Sequence, residues 1–251
     1  MYTSKRFKIR KEEDVLPEIK DAALLFPAIR KIFLADGNAL VLPTRRLLKI
    51  LKTIGSAFPK AHRISVYALP KNIASKSNDE LMSLREAGLK LLYIGIESGD
   101  DELLQLVYKG ETFESTAKGL LSAKQAGMKL SVMILNGLGG LKYSDQHAIN
   151  SAKILNIVQP EFASTLVLSF PFGVEQFKQR FGGTYFPMNL MDLIKEMEIF
   201  IENTNLNSTI FRSNHASNYL VLKGTLSKDK QKLLKEIRNA LNNPSTTHFR
   251  Q

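Results

Sequence analysis

Leu91 to Leu104 reads LLYIGIESGDDELL, an apolar run that stops at Glu97-Ser98-Gly99 before acidic residues open a helix. A segment apolar on both faces is the pattern of a parallel strand buried between helices. Its last residues emerge at the carboxyl edge of the sheet, where α/β folds collect their ligand groups, so Glu97 and Ser98 are placed to hydrogen-bond a small polar molecule. The same grammar recurs twice. Lys129 to Gly140, KLSVMILNGLGG, breaks into a glycine-rich turn, and Arg30 to Leu42, RKIFLADGNALVL, carries Asp36-Gly37-Asn38 at its tip. Three polar tips on one sheet edge outline a pocket.

Working outward, helix and strand signals alternate. Lys11 to Phe26 reads as a helix with Glu12, Glu13 and Asp14 at its amino end, stopped by Pro27. Strand Lys31 to Ala35 follows, then a helix from Thr44 to Phe58 and a strand at Arg63 to Tyr67. A helix from Asn78 to Ala87, capped by Ser77 and closed by Gly88, leads into the Leu91 strand. Helices at Asp101 to Val107 and Phe113 to Ala126 precede a strand at Leu130 to Leu135, a helix near Ser144 to Val158 and a strand at Phe162 to Leu168. Such alternation predicts parallel βαβ units. After Ser169 the signals weaken to an amphipathic helix at Leu190 to Glu202 and a polar cluster, Arg212, Asn214, His215, Asn218 and Tyr219, within IFRSNHASNYLVL. That cluster either covers the mouth of the sheet or satisfies its own backbone.

The three tips, the segment YIGIESGDDELL and the tail FRSNHASNYL together resemble the radical S-adenosylmethionine (SAM) enzymes. The resemblance implies an incomplete (β/α)6 partial TIM barrel of parallel strands, with residues 1–205 as the barrel core and 206–251 as a carboxyl-terminal extension. It implies SAM as cofactor, with Asp36, Gly37 and Asn38 matching the turn that meets the methionyl amino group. Glu97 and Ser98 match the ribose or methionyl contact, and Asn136, Gly137 and Gly139 match the turn that supports adenine. In a complete member a [4Fe-4S] cluster on a Cys-x-x-x-Cys-x-x-Cys loop cleaves SAM to a 5'-deoxyadenosyl radical. This chain contains no cysteine. The resemblance sets Met1-Tyr2 and the basic run Lys5 to Arg10 just after that loop, so the expectation is a chain without its cluster, inactive as it stands, whose first barrel strand would precede Met1.

Each residue also has a plainer reading. Glu97 can cap the following helix, Asp36 can be a turn residue, and Gly137, Gly139 and Gly140 can serve a turn or cradle a phosphate. His62, His147, His215 and His248 are not at metal-ligand spacing.

The 251 residues, 44% hydrophobic and 24% charged, suit one globular core and exclude a disordered chain. The apolar runs are of strand length and the basic amino end carries no leader, so the expectation is a cytoplasmic protein without membrane spans. A net charge of +11 invites a nucleic-acid partner. The basic residues of Arg45 to Lys52 and Lys223 to Arg238 interleave with apolar ones at helical spacing, which a solvated helix face explains as well. Two alternatives therefore stand beside the enzyme: a noncatalytic binder of SAM, nucleotide or nucleic acid, and a phosphate-binding barrel.

Overall fold

The computed structural model describes residues 8–171 and 173–250. Met1-Tyr2 and the start of the basic run, Lys5 to Phe7, lie outside the described residues. In chain order the elements are α1 (Glu12–Leu25), β1 (Lys31–Asn38), α2 (Thr44–Ala57), β2 (Arg63–Tyr67), α3 (Pro70–Ala74), α4 (Asn78–Glu86) and β3 (Leu89–Glu97). They continue as α5 (Asp101–Leu106), α6 (Phe113–Gln125), β4 (Lys129–Asn136), α7 (Gly140–Val158) and β5 (Phe162–Val167). Last come α8 (Glu175–Arg180), α9 (Leu190–Asn203), β6 (Ile210–Arg212), β7 (Lys223–Thr225) and α10 (Lys230–Asn242).

The strands form one sheet in sequence order, β1 to β7, parallel from β1 through β6, with β7 antiparallel at the far edge. This is the expected open α/β half-barrel. All five strands read from the sequence are present. The next parallel strand after them is β6, which pairs with β5 through Phe162 and Ile210 and carries Arg212. It is three residues long, too short to show a period, and sits inside the stretch read as a polar cluster.

Ser77 caps α4 in a reciprocal capping box with Glu80, and Thr112 does the same for α6 with Ser115. Each such cap contributes roughly 1 kcal/mol. The core lies between the helices and one face of the sheet, where Leu92, Ile94 and Ile96 of β3 and Leu130, Val132 and Ile134 of β4 are buried. The expectation that β3 is buried on both faces needs correction. Its alternate residues Tyr93, Gly95 and Glu97 are only half-buried, because they look across the concave side of an open sheet. Phe33, Tyr67 and Tyr93 line that side edge-to-face, with centroids 4.8 Å apart for Phe33–Tyr67 and 5.3 Å for Phe33–Tyr93. None of the described helices is long and apolar enough to cross a membrane.

Candidate functional site: the strand ends

Two of the predicted tips are made by the same local device. In β1, Leu34 pairs with Val66 and Asn38 with Tyr67, so residues 35–37 bulge out of the ladder. Asp36 takes a left-handed φ of 61° and Gly37 a φ of 133°. In β3, Gly95 pairs with Met133 and Glu97 with Ile134, so one extra residue bulges there, again with a left-handed φ of 61° at Glu97. A non-glycine residue in that region costs on the order of 1 kcal/mol or more, and such strain gathers where a fold aims a side chain. At Glu97 the aim is visible. A Cβ built on Gly95 would lie 2.3 Å from Glu97 Oε1, so the carboxylate rests over the bare backbone of Gly95 on the concave face. Lys109 Nζ, from the loop after α5, holds the same oxygen at 3.0 Å.

Ser98 does something else. It is fully buried, its Oγ lies 2.8 Å from His147 Nδ1 of α7, and it accepts the Asp100 amide at 3.0 Å. Gly99 donates its amide to Ser151 Oγ at 3.0 Å. Asp100 caps α5 at Leu103 and receives Gln146 and Asn150 on its two oxygens. The Ser98-Gly99-Asp100 corner is thus sewn to α7 by His147, Asn150 and Ser151, which recur at helical spacing along one face.

Asn38 is also engaged: Oδ1 accepts the Leu40 amide at 3.1 Å, and Nδ2 donates to Asn72 Oδ1. At the β4 end, Asn136 is buried and turned toward the helices, donating to Glu196 Oε1 at 2.7 Å and Leu193 O at 3.3 Å. The Gly137 amide donates to the same Glu196 oxygen at 2.7 Å. Tyr185 OH donates to Gly137 O at 2.9 Å, within an aromatic cluster that includes Phe170 and Phe177. Burial first, and then the nearby charge of Glu196, push the Tyr185 phenol far above its ordinary range, so it stays a neutral donor.

The turn amides of Gly137, Leu138, Gly140 and Leu141 all find acceptors inside the protein. Gly140, at φ 58°, has no room for a side chain, since a Cβ would sit 2.5 Å from Phe186 O. A Cβ on Gly139 would sit 2.7 Å from Tyr143 Cβ. These glycines serve a tight strand-to-helix corner, and the amides of Gly137, Leu138, Gly140 and Leu141 are spent inside it.

Asp36 and Gly37 thus sit in the bulge at the end of β1, and Glu97 in the bulge at the end of β3. The structure places the side chains of Asn38, Ser98 and Asn136 in internal bonds, with Gly137 and Gly139 in the corner between β4 and α7. Sequence reading missed Lys109, His147, Tyr185 and Glu196. The recurrence of His147, Asn150 and Ser151 three and four residues apart was the one signal available; nothing local marked the others. In the carboxyl-terminal cluster, Asn218 donates to Thr165 O, Ser213 to Leu220 O, and Ser217 Oγ accepts the Val167 amide. Asn218 and Ser217 thus serve the backbone of β5, and Ser213 that of the segment itself.

Half-barrels with ligand groups at the carboxyl ends of parallel strands form a recognisable class, and comparison with known proteins places this one in it. The family model described as the radical SAM superfamily matches residues 2–153. The chain belongs to the radical SAM superfamily. It is 26% identical over 133 residues to the heme chaperone HemW of Bacillus subtilis, covering 52% of this chain and 35% of that protein. Among solved structures, coproporphyrinogen III oxidase (HemN) from Escherichia coli, a radical SAM enzyme, superposes with a TM-score of 0.61 at 18% identity over 76% of this chain and 44% of that one. Archaeal Elp3 from Methanocaldococcus infernus gives 0.58 at 13% identity over 94% of this chain and 60% of that one. The matched region thus spans about a third of HemW and under half of HemN.

Complete members of this superfamily use SAM and a [4Fe-4S] cluster. The residues present here do not fit the cluster, because the 251 residues contain no thiol. Nor do the described residues contain three His, Cys, Asp or Glu side chains grouped to hold a metal ion.

Proposed function

We propose that this chain is the SAM-binding portion of a radical SAM barrel, without cluster ligands of its own and without radical chemistry as a cysteine-free chain. The observation that supports the reading is the pair of bulges that puts the left-handed residues Asp36 and Glu97 at the carboxyl ends of the parallel strands β1 and β3, with the Glu97 carboxylate lying over Gly95. In this reading the Asp36 carboxylate and the Gly37 backbone receive the methionyl ammonium of SAM, and Glu97, oriented by Lys109, accepts a ribose hydroxyl. Asn38, Ser98, Asn136, Gly137 and Gly139 contribute by fixing the backbone of the tips. Residues 206–251 act as an extension of a core formed by 1–205. Cleavage of SAM to a 5'-deoxyadenosyl radical belongs to a form that also supplies three thiolates.

In a complete member the cluster's open iron anchors the amino and carboxylate groups of SAM. Without it, affinity falls by several powers of ten, on the order of 4 kcal/mol. Calorimetry with SAM is expected to show millimolar or undetectable binding. Micromolar binding that Glu97→Ala abolishes would overturn this reading in favour of a noncatalytic SAM binder.

A further inference from the structure

Behind the strand ends, between β4, β5, α7 and α9, lies a small space of about 10 Å³ whose lining includes Asn136, His147, Thr165 and Glu196. All four residues are at least nine-tenths buried. Each leaves one polar atom without a partner: Asn136 Oδ1, His147 Nε2, Thr165 Oγ1 and Glu196 Oε2. Four orphaned polar atoms around one space is too costly an arrangement to stand by chance, since each costs roughly 1–3 kcal/mol if unsatisfied. The volume is close to the least that admits one water.

The hydrogen-bond chemistry of the lining can be assigned. Asn136 Nδ2 faces two acceptors, Glu196 Oε1 and Leu193 O, so its orphaned atom is the acceptor oxygen. Glu196 Oε1 takes the Asn136 and Gly137 N–H groups, leaving Oε2 as a second acceptor. Ser98 Oγ accepts from Asp100 and, among the described residues, meets no acceptor but His147 Nδ1, so its proton is directed there. With Nδ1 accepting, the ring proton lies on Nε2, 3.8 Å from Glu196 Oε1 and too far to bond it directly. Thr165 supplies a hydroxyl proton. Two donors and two acceptors converge on a space of one water.

We propose that a single water occupies this cavity, accepting from His147 Nε2 and Thr165 Oγ1 and donating to Glu196 Oε2 and Asn136 Oδ1. It completes a chain, Ser98 to His147 to water to Glu196 to the Gly137 amide, that ties the ends of β3 and β4 together from behind the sheet. His147 and Glu196 are positioning residues for both tips, and the inference is independent of what the tips bind. A bound cation is disfavoured because a ring N–H points into the space.

A crystal structure of the chain should show one peak at hydrogen-bond distance from all four atoms, and nitrogen shifts should give His147 as the Nε2–H tautomer. Thr165→Val, nearly isosteric, supplies a test by sign. With water present the substitution strips it of a partner and lowers the melting temperature. In a dry cavity the substitution removes an orphaned hydroxyl and raises or leaves it. The amide resonances of Ser98 and Gly137, neither of which hydrogen-bonds to Thr165, should both shift in this variant. An empty cavity, an Nδ1–H tautomer, a rise in melting temperature, or shifts confined to β5 would overturn the proposal. A melting temperature that depends on which monovalent cation is present would put an ion there and overturn it as well.

Discussion

Gly99 shows how little room the β3 corner leaves. A Cβ there would lie 2.2 Å from the backbone oxygen of Asn150, in α7, which cannot turn aside as a side chain can. Gly99→Ala is expected to cost about 3 kcal/mol in chemical denaturation, by forcing the corner off the helix; a cost below 1 kcal/mol would mean the corner is loosely held. Gly95→Ala meets only the movable end of Glu97, so it should displace the carboxylate at little cost in stability. The sequence made Glu97 legible, because a carboxylate ending an apolar run stands out. It made Ser98 misleading, because a serine that faces a ligand and one clamped to a buried histidine 49 residues away look alike in one dimension. Asn136 misled for a related reason: strand alternation turns it toward α9, and its partner Glu196 is 60 residues further along.

Among the elements, β1 and α1 are weakly secured. Among the described residues β1 pairs only with β2, whereas β3 has a neighbour on each side. Amide exchange should therefore be faster over Lys31–Ala35 than over Leu91–Ile96, since an edge strand opens without breaking a second ladder. Equal protection in a monomer would contradict an open edge. Helix α1 has no fully buried residue and meets α2 partly through Glu12, which bonds Lys49 at 2.6 Å and sits 3.7 Å from Arg46. The hydrogen bond from Lys49, and then the charges of Lys49, Arg46 and Arg45, hold the Glu12 carboxyl below its ordinary value. A carboxyl with a depressed folded-state pKa stabilises above its unfolded value and loses that contribution as pH falls through the folded one. Acidification should thus release α1 before the sheet, seen as faster exchange over Glu12–Leu25; unchanged α1 protection below the ordinary carboxylate range of about 4 would contradict it. The five long strands and most helices were legible because their periods run over enough residues to be counted. The short β6 was not, since three residues carry no period and only pairing with β5 defines it.

The whole half-barrel sets its polar tips over a concave face lined by Phe33, Tyr67 and Tyr93, and it does so in a chain with 35 Lys and Arg, 24 Asp and Glu and no Cys. Architecture and family were legible because both rest on the order of strand tips, which one sequence carries. The buried network that positions those tips was not, since it joins residues from four elements whose neighbourhood only folding creates. This radical SAM barrel has no thiol with which to hold an iron–sulfur cluster. Anaerobic reconstitution of the purified chain with iron and sulfide, followed by desalting, tests the consequence most directly. The expected result is no visible cluster absorption and iron at background; a stable cluster spectrum with stoichiometric iron would mean that the chain holds a cluster without thiolates.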